Sequence, residues 1–265
     1  MESKRDCEKK IKRIGASLKE ARSALFITGA GISAESGLPT YRGVGGLYEE
    51  NVTEDGVPIE VVLAAETLQS RPELTWKYLS RIEKKARGTT FNKAHKVLAE
   101  LEKRLDRTWV LTQNIDGFHK EAGSKNVIDI HGDMHKLLCP SCGWSSEVKD
   151  YRGLSVPPLC QECGSIVRPE VVFFGEMLPA SKLALLETEL RRGFDIYFSI
   201  GTSSYFPYIS RPIIAAGRMG CLTVEINPAI TEVSGIVGIK VPLGASEAMT
   251  RIWQEYLNGG SKDPV

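Results

Sequence analysis

At 265 residues, 34 Lys and Arg against 33 Asp and Glu leave a formal net charge of +1. That balance argues against a dedicated nucleic-acid binder, which carries a strongly basic face. A hydrophobic content of 42% suits one large α/β domain, alone or with a small insertion. No apolar stretch reaches the roughly 18 residues that a membrane span needs, so no membrane partner is expected. The N-terminus Met-Glu-Ser-Lys-Arg-Asp lacks an apolar secretory stretch, and a soluble, cytoplasmic protein is expected.

Ile11, Ile14, Leu18, Ala21 and Leu25 recur at helical spacing and predict an amphipathic helix with its Lys and Arg in water. A short apolar strand, Ala24 to Thr28, then runs into Gly29-Ala-Gly-Ile-Ser-Ala34, a G-x-G-x-x-A fingerprint in strand-to-turn context. Further apolar runs from Trp109 to Thr112, Val127 to Ile130, Asp195 to Ile200 and Cys221 to Ile226 read as buried parallel strands. Helical stretches from Asn92 to Arg104 and Ser181 to Arg192 alternate with them, which predicts a Rossmann-type, doubly wound parallel sheet. Residues 43–90 and 133–168 interrupt the alternation and are expected to build a smaller helical and zinc-ribbon domain. Residues 1–42, 91–132 and 169–258 would then form the nucleotide-binding domain, and 259–265 a flexible tail.

The glycine fingerprint alone is a weak signal, because tight strand-to-helix turns need glycine whatever the ligand. A nicotinamide dehydrogenase would end its second strand with an acidic residue about twenty positions on. That register gives Glu49 and Glu50 with no strand before them, so the dehydrogenase reading fails. Stronger is the metal signal. Cys139-x2-Cys142 and Cys160-x2-Cys163 have the spacing that closes a tetrahedral thiolate cage around one zinc. The alternative, two disulfides, requires an oxidising compartment that nothing else suggests. Four thiolates leave no open coordination position, so the zinc would be structural. Cys7 and Cys221 fall outside the pattern and read as ordinary thiols.

Seven motifs in order, Gly29 to Gly37, Thr112-Gln-Asn-Ile-Asp116, His131-Gly132, the two cysteine pairs, Val172-Phe-Phe-Gly-Glu176, Gly201-Thr-Ser203 and Glu225-Ile-Asn227, resemble those of the sirtuin family. The resemblance runs from about Ala24 to Ala245. It implies an NAD-dependent protein lysine deacylase, with NAD and the acyl-lysine of a protein or peptide meeting between a Rossmann-type domain and a zinc domain. By the same resemblance His131 is the general base, Asn114 holds the nicotinamide ribose and Asp116 meets the nicotinamide carboxamide. A ribose hydroxyl must lose a proton after nicotinamide departs, and a histidine has the pKa for it. The implied NAD-binding set adds Gly29, Ala30, Gly31, Ser33, Ala34, Tyr41, Arg42, Gln113, Ile115, Gly201, Thr202, Ser203, Asn227 and Ala245. Val172, Phe173, Gly175 and Glu176, with the segment after Ser203, would clasp the substrate backbone as an added strand.

Tyr78 and Arg81 stand three residues apart on an expected helix and so share a face. A phenol and a guanidinium suit a carboxylate, and the sirtuin class that removes malonyl and succinyl groups carries this pair here. Succinyl- and malonyl-lysine are therefore expected substrates, acetyl-lysine also, with 2′-O-acyl-ADP-ribose as product. Plain deacetylation, ADP-ribosyl transfer on the same scaffold, and a catalytically silent zinc-ribbon binding module are the alternatives. His119 and His135 read as packing or surface residues. Tyr41 replaces a usual phenylalanine, the prolines after Ser203 are displaced from their usual places, and residues 51–68 align poorly.

Overall fold

A computed structural model describes residues 4–39 and 52–258. Thr40, Tyr41, Arg42, Glu49, Glu50 and the expected tail at 259–265 lie outside the described residues. In chain order the elements are α1 (Lys4–Glu20), β1 (Ser23–Thr28), α2 (Ala30–Ser33), α3 (Ile59–Val62), α4 (Ala65–Ser70), α5 (Pro72–Ala86), α6 (Lys93–Glu102), β2 (Arg107–Thr112), α7 (Phe118–Glu121) and β3 (Val127–Asp129). There follow β4 (Gly132–Leu138), β5 (Ser145–Glu147), β6 (Arg168–Val171), α8 (Ala180–Arg192), β7 (Ile196–Ile200), α9 (Pro207–Arg218), β8 (Leu222–Ile226), β9 (Ile239–Val241) and α10 (Ala245–Asn258).

Six strands form one parallel sheet in the order β3-β2-β1-β7-β8-β9. The order reverses at β1, and an open α/β sheet binds its ligand at that switch point. Strand β1 is buried on both faces and its side chains alternate. Ala24 and Phe26 join the core layer under α1, α6 and α10, whereas Leu25 and Ile27 join the layer under α8 and α9. Ile11, Ile14 and Leu18 form the buried stripe of α1, but that helix stops at Glu20. Leu25, which fitted both the helical spacing and the expected strand Ala24 to Thr28, belongs to β1. It stands seven residues after Leu18, so the helical spacing persists by coincidence across a boundary set by sheet pairing. Strand β9, only three residues long, carries too short a pattern to have been anticipated.

A second sheet, antiparallel in the order β5-β4-β6, holds the cysteine pairs. Its first residue, Gly132, has φ +93°, and a Cβ there would lie 1.8 Å from the Glu170 carbonyl oxygen. Only glycine lets the two backbones meet beside His131. The two interrupting segments share one core, in which Leu68, Trp76 and Leu79 pack with Met134, Leu137, Tyr151 and Val167. Two polar groups buried there are paired: the Trp76 indole donates to the Val167 carbonyl at 2.9 Å and the Tyr151 hydroxyl to the Met134 carbonyl at 2.6 Å. Among the described residues no helix is long and apolar enough to cross a membrane.

Candidate active-site cleft and metal centre

The turn after β1 meets the turn after β7 at the switch point. The Gly31 amide donates to the Gly201 carbonyl at 2.8 Å, and a Cβ on Gly31 would lie 2.6 Å from Gly201 Cα. From the end of β2, Gln113 Nε2 donates to Thr202 Oγ1 at 2.8 Å, and Asn227 Nδ2 donates to the Thr202 carbonyl at 3.1 Å. Gly29, Gly31, Gln113, Gly201, Thr202 and Asn227 are thus brought together. Ser203 is exposed, and Ala245 is buried at the start of α10.

Beside this junction opens a cleft of about 510 Å³, lined by Ala30, Ser33, Asn114, Ile115 and Asp116, with Leu38, Pro39, Met134 and, from α5, Ile82, Lys85 and Ala86. Asn114 Nδ2 donates to the Gly29 carbonyl at 3.2 Å and to Ser33 Oγ at 3.1 Å, while Ser33 Oγ donates to Asp116 Oδ2 at 2.7 Å. Asn114 Oδ1 is buried without a partner. A buried, unpaired acceptor on the cleft wall fits a ligand hydroxyl, and with the close-packed glycine turn these residues fit a dinucleotide such as NAD. Burial pushes the Asp116 carboxyl above the usual range, opposed by hydrogen bonds from Phe118 N and Ser33.

His131 leaves the last residues before β4 with its Nδ1 3.0 Å from the Gln113 carbonyl and its Nε2 2.6 Å from the Tyr208 hydroxyl. Burial holds its pKa below the ordinary histidine value, opposed by the Gln113 carbonyl. Tyr208, on α9, was not anticipated. The segment expected to flank substrate as extended chain turns helical at Pro207, so no extended backbone continues beyond Phe206. Proline at the first helical position has a fixed φ suited to a helix start.

On the other side of His131, Val172 to Glu176 continue from the end of β6. The Val172 amide donates to the His131 carbonyl at 2.9 Å, and the Phe173 amide to Glu176 Oε2 at 2.9 Å. Glu176 is held in turn by Arg168 at 2.5 and 2.8 Å, and Gly175 turns the chain at φ +86°. Glu176 therefore braces its own loop. Tyr78 and Arg81 share a face of α5, yet both meet the chain's own carboxylates: the Tyr78 hydroxyl donates to Asp55 Oδ2 at 2.7 Å, and Arg81 to Glu54 Oε1 at 2.7 Å. Hydrogen bonds from Arg81 and Lys77 hold the Glu54 carboxyl down at about 2.

Two further histidines lie behind the cleft. His95 Nδ1 accepts from the Asn92 amide at 3.2 Å, its Nε2 lies 3.4 Å from Ser33 Oγ, and its ring meets His119 with centroids 4.9 Å apart. His119 Nε2 lies 2.9 Å from Thr28 Oγ1. Burial lowers His95 to about 4 and His119 well below its ordinary value. His119 packs, as its lack of motif suggested, while His95 passed unnoticed because its link to Ser33 spans 62 residues.

The four cysteine sulfurs lie within 4.8 Å of one another, with Cys139 to Cys163 3.5 Å apart and Cys142 to Cys160 3.6 Å. Tetrahedral coordination at about 2.3 Å separates sulfurs by about 3.8 Å, so the cage fits zinc. Each pair sits on a tight turn: the Gly143 amide donates to the Cys139 carbonyl and the Gly164 amide to the Cys160 carbonyl, both glycines having positive φ. Cys7 and Cys221 stand apart from the cage.

Comparison with known proteins bears on this geometry. The Sir2 family model matches residues 29–206. An NAD-dependent protein deacylase 2 of Pseudomonas aeruginosa is 43% identical over 250 residues, covering 93% of this chain and 97% of its own. A Sir2 homologue mutant in complex with ADP-ribose superimposes with a TM-score of 0.85 at 34% identity, over 96% of this chain and 99% of that one. A Sir2 complex with a p53 peptide and NAD+ gives 0.79 at 31% identity, over 92% and 98%.

Two outcomes follow from the site's chemistry. Below pH 6.5 an unfolded chain protonates His95 and His119, whereas the folded chain keeps them neutral. The unfolded state then binds more protons, so folding stability should drop as pH falls from 6.5 to 5, by up to about 1.4 kcal/mol per pH unit per histidine. Denaturant titrations at several pH values should show the slope, and His95→Gln should reduce it. As isolated, the protein should carry one zinc per chain by elemental analysis. Cys139→Ser should lose it and expose the core around Trp76 to hydrogen exchange, because binding energy at a structural site is folding energy.

Proposed function

Because the chain belongs to the Sir2 family, we propose that it removes acyl groups from protein lysines with NAD as co-substrate and His131 as general base. The observation that carries this reading is the state of the His131 ring. Its Nδ1 faces a carbonyl, which can only accept, so Nδ1 holds the proton and Nε2 keeps a lone pair. Burial keeps the ring neutral at physiological pH. A neutral imidazole with a fixed tautomer is the form a general base requires.

Bound NAD supplies an electrophilic ribose carbon for the acyl oxygen and a hydroxyl to be deprotonated. Asn114 would offer Oδ1 to a ribose hydroxyl, Asp116 would meet the carboxamide, and the backbone of Gly29 to Ala34 would face the phosphates. Gly201, Thr202, Ser203, Asn227 and Ala245 would face the adenosine half, with Gln113 and Ile115 completing the wall. Acyl-lysine would lie along Val172, Phe173 and Gly175 beside His131, to which Val172 is already hydrogen-bonded. The four thiolates would hold zinc as a brace with no part in bond breaking.

Acyl preference turns on the Tyr78 and Arg81 pair. Both already hold a carboxylate of this chain, and Lys77 and Arg81 balance Glu54 and Asp55 charge for charge. This favours the neutral acetyl group as the principal substrate, with malonyl or succinyl requiring the 54–55 segment to yield.

Replacing His131 by Ala should abolish acyl removal while sparing acyl-peptide-dependent exchange of labelled nicotinamide into NAD, since the base acts after nicotinamide leaves. Undiminished deacylation would remove His131 from the role. A Glu54→Gln, Asp55→Asn double variant should raise kcat/KM for succinyl-lysine roughly 10- to 150-fold, the worth of about 1.5–3 kcal/mol for one charge-assisted bond, and leave acetyl-lysine within a few-fold. Equal changes on both peptides would make the cluster structural only.

A further inference from the structure

The lone pair that a base at His131 needs is already occupied. A carbonyl at Nδ1 fixes the proton there, so the Tyr208 hydroxyl, 2.6 Å from Nε2, must be the donor of that contact. Its placement is built into the fold. Tyr208 sits in the first turn of α9, stacked on Phe206 with centroids 5.5 Å apart and planes 14° apart. Both rings meet the imidazole edge-on, Tyr208 at 6.0 Å and Phe206 at 6.3 Å. The approach of this segment is fixed from below, where buried Ser204, at φ +55°, donates its amide to Thr202 Oγ1 at 3.1 Å and bonds Ser199 Oγ at 3.1 Å.

Resting on the reading of His131 as base, we propose that Tyr208 is a positioning residue that stands in for the ribose hydroxyl of NAD. Before NAD binds, its phenol fills the hydrogen-bonding position at Nε2, keeps the productive tautomer and orients the ring. When NAD binds, the ribose hydroxyl takes that position and the phenol withdraws to water. Burial pushes the phenol up to about 12, so it stays protonated and remains a donor throughout the working range. The charged group bearing on the ring is Lys182 of α8, itself paired with Asp129 of β3 at 2.7 Å.

A hydrogen bond to the neutral imidazole disfavours its protonation. The chain has four histidines, so the His131 ring can be followed by NMR, assigned by its loss in His131→Asn. In the protein without NAD, Tyr208→Phe should raise the His131 pKa by about half to one unit, the size of one neutral hydrogen bond. With saturating NAD the variant and the unmutated protein should titrate alike, because the phenol has already left. Calorimetry should show NAD binding the variant roughly 2- to 10-fold more tightly, since no bond is surrendered.

An equal pKa displacement with and without NAD would make Tyr208 a standing partner and overturn the proposal. So would no displacement in the NAD-free protein, or weaker NAD binding by the variant. Should Tyr208→Phe fail to fold, the Tyr208 ring resonance of the unmutated protein serves instead: NAD must shift it, and an unmoved signal refutes displacement. Deacylation surviving His131→Ala would defeat the base assignment while leaving these titrations intact, so the two failures are distinguishable.

Discussion

Everything in the cleft depends on the contact between two glycine turns at the reversal of the sheet. Gly31 and Gly201 leave no room for a side chain on either: a Cβ on Gly201 would lie 2.4 Å from the Gly31 carbonyl carbon. That approach lets the turn after β1 lie against the turn after β7. Asn114 then bonds Gly29, Ser33 bonds Asp116, and Gln113 and Asn227 both bond Thr202. A larger residue at either glycine would part the turns and dissolve the set together. The family's glycine fingerprint is thus a packing requirement before it is a ligand-binding one.

Desolvation then sets the chemistry of the residues so placed. It keeps His131, His95 and His119 neutral and raises Asp116. Only the specific hydrogen bonds differ among the three imidazoles. His95 and His119 spend theirs on Ser33, Asn92 and Thr28, behind the cleft. Of the three, His131 alone directs a ring nitrogen to a phenol, that of Tyr208. Identical residue types in similar burial therefore differ in what their ring nitrogens meet.

Much of this was legible in the sequence, and the division has a physical cause. Zinc ligands and glycine turns need fixed residue types at fixed short spacing, so Cys139 to Cys163 and Gly29 to Ala34 announce themselves. Strand β1 and helix α6 follow from local periodicity, as does the sheet that their alternation implies. Pairings set by tertiary approach leave no such mark. Tyr208 reaches His131 across 77 residues, and Asp55 reaches Tyr78 across 23. The phenol and guanidinium of α5 pointed to a substrate carboxylate, and nothing local marked Asp55 and Glu54 of the chain itself as the groups they meet. Leu25 fitted helix and strand alike, because the helical spacing continued where the sheet had taken over.

The layering of the main core bears on the order in which the protein can be made. Strand β1 emerges near the start of the chain but is flanked on its second side only by β7. Its outer layer joins α1 to α10, so closely that a Cβ on Gly15 would lie 2.7 Å from Glu255 Cβ. The core layer that α1 and α10 share therefore cannot close until α10 has been synthesised. The antiparallel ribbon is contiguous from Gly132 to Val171, pairs locally, and shares its core with α4 and α5, which precede it in the chain. Its three strands can therefore pair while the parallel sheet still lacks β7, β8 and β9.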